Sequence, residues 1–160
     1  MTDASSTTLS AHLASSLAFQ YDRVRGRVVE LVGPLSLDQL WRKPYRYGNS
    51  VGHLVLHITG NLNYYVGARI AGTDYVRDRP KEFADDSRRE KADVLRDFNA
   101  AVDLTIATLR AQSASDWMRE FEATGTEDRD RLAIFIRCGA HIDHHMAQMI
   151  LLTKELALQT

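Results

Sequence analysis

The stretch Ile134-Phe135-Ile136-Arg137-Cys138-Gly139-Ala140-His141-Ile142-Asp143-His144-His145-Met146-Ala147-Gln148-Met149-Ile150-Leu151-Leu152 decides the fold. Ile134, Cys138, His141, His145, Gln148 and Leu152 recur at alternating spacings of four and three, the period of one face of an α-helix. Upstream, Asp128 and Asp130 suit the positive N-terminal end of such a helix, which the pattern extends from about Glu127 to Leu156. The seam is apolar except for its imidazoles and one amide, so it reads as the core face of a long helix that also carries polar chemistry.

Three further stretches share this period. Ala14, Leu17, Tyr21, Val24, Val28 and Leu31 form a stripe from about Ser10 to Val32, which Gly33-Pro34 ends. A second helix runs from about Ser50 to Ala71, with Asn49 or Ser50 as its cap and Gly72 as its stop. It is apolar around much of its girth, through Val51, Leu54, Val55, Ile58, Leu62, Tyr65, Val66 and Ile70. The third runs from about Ser87 to Ala111, with Ser87-Arg88-Arg89-Glu90 as a capping box and Leu95, Phe98, Val102, Ile106 and Leu109 facing inward. No stretch alternates as a strand does. The expectation is therefore an all-α protein, a four-helix bundle formed by residues 1–160 as one domain, with the Ser/Thr-rich residues 1–9 flexible. The connections, at roughly fifteen residues, exceed the ~2–8 usual in bundles. Each could span a helix length, so simple up-down winding is not forced.

Composition narrows the function. The chain has 160 residues, 44% hydrophobic and 26% charged, with a formal net charge of −1. That balance gives no electrostatic reason to expect nucleic acid or an acidic membrane as partner. The single cysteine excludes a disulfide scaffold and a dithiol redox pair. No apolar run is long enough to span a membrane, and the polar opening Met1–Thr8 does not read as a secretory leader, so a soluble cytoplasmic protein is expected. Glycine loops that cradle phosphate, Gly-x-Ser-x-Gly elbows and the Glu-x-x-His pairs of di-iron bundles are all absent.

The histidines are the informative residues. Chance placement of six would give roughly 0.2 pairs at the i,i+4 spacing that puts two side chains on one helix face. This chain has two, His53/His57 and His141/His145. Buried imidazoles need polar partners. A divalent metal ion would satisfy His141 and His145 together, with one further ligand from helix two, and hydrogen bonds within a metal-free core would also serve. On a helical wheel His57 groups with Leu54, Asn61 and Tyr64, while His53 lies about 40° away. His144 reads as a flanking residue, His12 as solvated and Asp143 as a surface group. Cys138 reads as a small apolar residue, with soft ligation as the alternative. Asn61, Tyr64 and Tyr65 are either packing residues or a polar pocket wall. Trp41, Arg42, Pro44 and Tyr45 either lid a pocket or cover the end of the bundle. The mixed charges of residues 77–86 read as a solvated crossover.

Taken together, Gly48-Asn49-Ser50-Val51-Gly52-His53-Leu54-Val55-Leu56-His57-Ile58-Thr59-Gly60-Asn61, then Arg77-Asp78-Arg79 and Glu82-Phe83, and finally His141-x-x-x-His145-x-x-Gln148, resemble the DinB/YfiT-like superfamily of metal-dependent four-helix bundles. The first group is similar to a subfamily pattern N-S-I … H-L-x-G-N … R-D-R-x-x-E-F. The last matches the helix-four motif H-x-x-x-H-x-G-Q, with Ala147 where the family often has Gly. The resemblance implies a long crossover between helices two and three and a zinc or nickel ion held by His57, His141 and His145, with water in open positions. It also implies a homodimer. Characterised relatives include thiol-dependent transferases and isomerases that use mycothiol or bacillithiol. The expected function is therefore a metal-dependent enzyme acting on a small molecule or thiol, an S-transferase or a related hydrolase. The alternative is a non-catalytic, stress-associated metal-binding dimer.

Overall fold

The computed structural model describes residues 2–159; Met1 and Thr160, the ends of the expected domain, lie outside them. The fold is all-α. Four long helices, α1 (Thr2–Val32), α3 (Val51–Leu62), α5 (Lys91–Arg110) and α7 (Arg131–Leu158), are joined by connections that each carry a short helix: α2 (Leu37–Trp41), α4 (Arg79–Ala84) and α6 (Ala114–Trp117). Helix α3 continues without a break as a π-helix, Asn63–Ala71. Among the described residues there is no strand, only an isolated antiparallel bridge between Glu120 and Asp130.

The long helices pack as a ring in the order α1, α5, α3, α7, so α1 and α3 face each other across a diagonal, as do α5 and α7. The connections from α1 to α3 and from α5 to α7 must therefore cross an end of the bundle, which explains their length. This order also makes α3 and α7 neighbours.

Helix α3 is buried on almost every side, with only Leu56 partly exposed. Its wide apolar girth is consumed inside the chain by α5, α7, α4 and α2 rather than left for a second subunit. Ser50 caps it, its Oγ accepting from the His53 amide at 3.1 Å. The π-helical continuation ends at Gly72, whose φ of 75° lies in the left-handed region that glycine enters without strain.

Three boundaries differ from the sequence expectation. Helix α1 begins at Thr2 rather than near Ser10, because Ser10 is an anchor: its buried hydroxyl donates to the Gln112 carbonyl at 3.0 Å and accepts from the Trp117 indole at 2.8 Å. Helix α5 begins at Lys91, and the expected capping box at Ser87 does not form. The Ser87 amide donates to Asp85 Oδ1 at 2.9 Å, and Arg88 has a φ of 50°, which a right-handed helix cannot pass through. Helix α7 begins after Asp130, whose carboxylate accepts from the Ala133 amide at 2.8 Å, while Asp128 pairs with Arg137 outside the helix. Along α7, Met149 rather than Gln148 enters the core.

Candidate metal centre

Because α3 and α7 are neighbours, His57 from one meets His141 and His145 from the other. Their ring centroids lie 4.5–5.0 Å apart, and one ligand nitrogen from each lies within 4.8 Å of the other two. His57 and His145 are buried and His141 is half-buried. His57 Nε2 and His141 Nε2 stand 3.0 Å apart, and His145 Nε2 is buried with no hydrogen-bond partner.

The far side of each ring explains why these nitrogens are available. His57 Nδ1 lies 2.7 Å from Glu82 Oε2, and a carboxylate only accepts, so the ring proton sits on Nδ1 and the Nε2 lone pair faces the cluster. His145 Nδ1 lies 2.9 Å from Gln148 Oε1, which leaves the His145 Nε2 lone pair facing inward in the same way. At its other end the Gln148 amide nitrogen lies 3.2 Å from His144 Nε2, so one amide bridges the two rings. An orphaned buried imidazole nitrogen beside two others is a donor set that suits zinc or another late first-row divalent ion.

Burial, reinforced by the other imidazoles, pushes His141 down to about 3, and burial also lowers His145 despite the Gln148 hydrogen bond. Both rings are neutral at pH 7, the form that binds metal. The sign for stability follows: below about 6.5 the unfolded chain takes up protons that the folded chain refuses. Metal-free protein is expected to keep this contribution above pH 6.5 and lose it progressively between there and about pH 3. Thermal melts of chelated protein across that range check it; a melting temperature that does not fall with pH would contradict it.

Behind His57 lies a buried carboxylate that sequence reasoning missed. Glu82 on α4 accepts from Arg77 Nε at 2.7 Å and from Arg77 Nη2 at 2.9 Å, besides facing His57. Residues 77–86 are therefore not simply a solvated crossover, since Glu82 is buried and the Arg77 side chain is only 10% exposed. Burial works against ionisation of Glu82, but hydrogen bonds from His57 and Arg77 outweigh it and hold the carboxyl below its ordinary value. Asp78 starts α4 by accepting from the Lys81 amide at 3.2 Å, which aims Glu82 inward. The R-D-R-x-x-E-F spacing was the available signal, but a run dense in charge does not reveal which pair is buried.

Gly60 makes room for this carboxylate. A Cβ at Gly60 would overlap Glu82 Oε1 and stand 2.8 Å from its Cδ. Since Glu82 is pinned by two partners, Gly60→Ala is expected to displace it and weaken zinc binding about ten-fold or more, read by isothermal titration. Unchanged affinity would show that Glu82 does not support His57.

The remaining candidates are placed as follows. His53 is fully engaged: Nδ1 lies 2.6 Å from Ser50 Oγ and Nε2 lies 2.9 Å from the Asp85 carbonyl, so it is not part of the cluster. His144 is exposed and meets the cluster through Gln148 and through an edge-on ring contact with His145 at 5.0 Å. Cys138 is fully buried and its thiol is pushed up to about 12, so it stays protonated and packs as an apolar residue. Asp143 accepts from Gln20 Nε2 at 3.1 Å on the outside of α1, and His12 is exposed. Trp41 covers the start of α3, stacking edge-on against His53 at 5.4 Å.

A cleft of about 800 Å³ opens over the cluster and is lined by His57 and His141, by Asn61, Tyr64 and Tyr65, and by residues of the second connection. The π-helical segment supplies both tyrosines, which line the cleft while also packing on the core, so both of their sequence readings apply. A second cavity, of about 500 Å³, lies by Trp41 and His53 and does not reach the cluster. No helix among the described residues is long and apolar enough to cross a membrane.

Comparison with curated proteins gives no match. The family model of the DinB superfamily matches residues 20–149, which include all three clustered histidines, Glu82 and most of the bundle core. With the helical fold and the histidine cluster in agreement, the chain belongs to the DinB superfamily.

Proposed function

We propose that the protein is a metal-dependent enzyme in which His57, His141 and His145 hold one zinc or nickel ion and the cleft above them receives a low-molecular-weight thiol and its acceptor. The observation that carries this reading is the position of the cleft, which is lined by His57 and His141 of the three-imidazole cluster. A divalent ion there would supply the Lewis acidity that makes a thiol or a water a better nucleophile near neutral pH. In S-transfer, the thiol sulfur bonds to an electrophilic carbon, a leaving group departs from that carbon, and the thiol proton passes to solvent.

The residues around the cluster favour a thiol over water. Both Glu82 oxygens are engaged by His57 and Arg77, so Glu82 orients His57 rather than accepting a proton from substrate. Asp74 is the only carboxylate among the cleft-lining residues. A thiol ionises more readily than water and has less need of a protein base.

The test begins with metal analysis of protein purified without a metal-affinity tag. Metal-loaded protein is then given a thiol with an electrophile such as chlorodinitrobenzene. Thiol-dependent conjugation that chelation abolishes supports the reading. Stoichiometric metal with no thiol-dependent turnover favours the non-catalytic, stress-associated bundle. The same reading takes the protein as a cytoplasmic homodimer, a small-molecule enzyme formed by the whole chain as one domain. Exposed Phe19 on α1 and Ile136 and Leu151 on α7 support a partner-covered face. Sedimentation at micromolar concentration checks it, and a monomer would count against it.

A further inference from the structure

We propose that the cleft over the histidine cluster takes a carboxylate-bearing small molecule, with Arg69 and Arg79 holding the carboxylate and the Asn61 amide meeting a polar group of the same molecule. The proposal rests on the reading of this cleft as a substrate site and names the chemistry of its occupant.

Charge is the first observation. The chain as a whole carries a net −1, yet the cleft is lined by four arginines and one aspartate. Two of the four are neutralised within the protein, Arg77 by Glu82 and Arg137 by Asp128. The other two have no carboxylate partner among the described residues. Arg69 uses Nε and Nη2 on the Glu122 backbone carbonyl, which fixes the guanidinium while leaving its Nη1 donors and its charge unspent. The Arg79 side chain makes no hydrogen bond among the described residues, and its guanidinium rests 5.6 Å above the Phe83 ring. Arg69 and Arg79 against Asp74 leave one net positive charge, which a single carboxylate neutralises. A guanidinium matches a carboxylate by presenting two parallel N–H donors.

Asn61 is the second, independent observation. It is only 4% exposed, lines the cleft one helical turn after His57, and its Oδ1 is buried without a hydrogen-bond partner. Buried amide oxygens in folded proteins are nearly always satisfied. A donor on a molecule occupying the cleft would satisfy this one, and the position beside His57 puts that contact at the inner end of the cleft. The arginines on the outer wall and the amide within thus describe a molecule with an anionic end and a polar end.

The probes are succinamate, which has one carboxylate and one amide, and succinamide, in which the carboxylate is replaced. Each is titrated calorimetrically into the full chain, in metal-free and zinc-loaded form. Succinamate is expected to bind about ten-fold or more tightly than succinamide, and Arg79→Ala and Arg69→Ala each to weaken it by about ten-fold. Both arginines are exposed, so these variants test binding without disturbing the core. Asn61→Ala should weaken both probes alike. Equal affinity for the two probes, no binding of succinamate, or preference for inorganic phosphate would overturn the proposal. Selective binding of succinamate by a protein that never takes up zinc would sustain it while removing the metal-dependent reading. Zinc uptake without selectivity would do the reverse.

Discussion

Replacing His141 or His145 by alanine is expected to remove stoichiometric zinc or nickel and to lower the melting temperature of metal-loaded protein. The two side chains share one face of α7, and the third nitrogen comes from His57 on the neighbouring helix, so either substitution leaves two donors for a site built on three. An ion that binds only the folded state stabilises it by about 2.7 kcal/mol at 100 times its dissociation constant. For a chain of this size that corresponds to about 5–10 °C. The gap should close when wild type and variants are compared in chelator, which separates lost metal from lost packing. A triple His57→Ala/His141→Ala/His145→Ala variant that still held its metal would show the ligand assignment to be wrong. Wild type that took up neither zinc nor nickel would make the cluster an ordinary set of interior histidines.

The second large effect belongs to Glu82. Glu82→Ala leaves the Arg77 guanidinium, only 10% exposed, without its carboxylate. Breaking a buried pair from one side costs about 3–5 kcal/mol. It also frees His57 Nδ1 from the acceptor that fixes its tautomer, which typically costs 10–100-fold in metal affinity. A double variant separates these two roles. Arg77→Met/Glu82→Leu replaces both charges with apolar groups of similar size and is expected to recover most of the stability but not the metal affinity. Should the double variant bind zinc as wild type does, Glu82 would be an element of stability alone. Glu82→Gln, which keeps the shape and one acceptor, should fall between wild type and Glu82→Ala on both measures.

Much of the fold could be read from the sequence because the buried faces repeat with the helical period. On α1 the stripe through Ala14, Tyr21, Val24 and Val28 is the core face, and Ala18 and Val32 extend it. The misassignment of Gln148 has a geometric cause. A strict four-three seam repeats every seven residues, whereas a straight α-helix drifts by about 20° per heptad. Over the 28 residues of α7 the buried face moves from the expected seam to Met149. Ser87 satisfied the letter of a capping box, but Asp85 competes for its amide and Arg88 turns the chain the wrong way. The histidines were legible as two i,i+4 pairs, but spacing could not say which single member was already satisfied. His53 is consumed by Ser50, the cap of its own helix, and by the Asp85 carbonyl, a partner that depends on how the second connection folds back over α3. Glu82 was hidden for the same reason: its burial is decided by tertiary pairing with Arg77 and by the space at Gly60. The π-helical turn through Tyr64 and Tyr65 leaves no mark in apolar periodicity that separates it from an α-helix.

The ring order of the helices also sets when the centre can form during folding. His57 and His141 stand 84 positions apart in the chain, and their helices become neighbours only after a connection has crossed the end of the bundle. Contacts between such distant residues carry a loop-closure cost and tend to come late. An ion that needs both helices therefore meets a chain that has already passed its rate-limiting step. Its stabilisation should fall on the escape from the native state rather than on the approach to it. Chelation is then expected to speed unfolding while leaving the refolding rate nearly unchanged, which makes the metal a latch on a finished bundle rather than a template for building one.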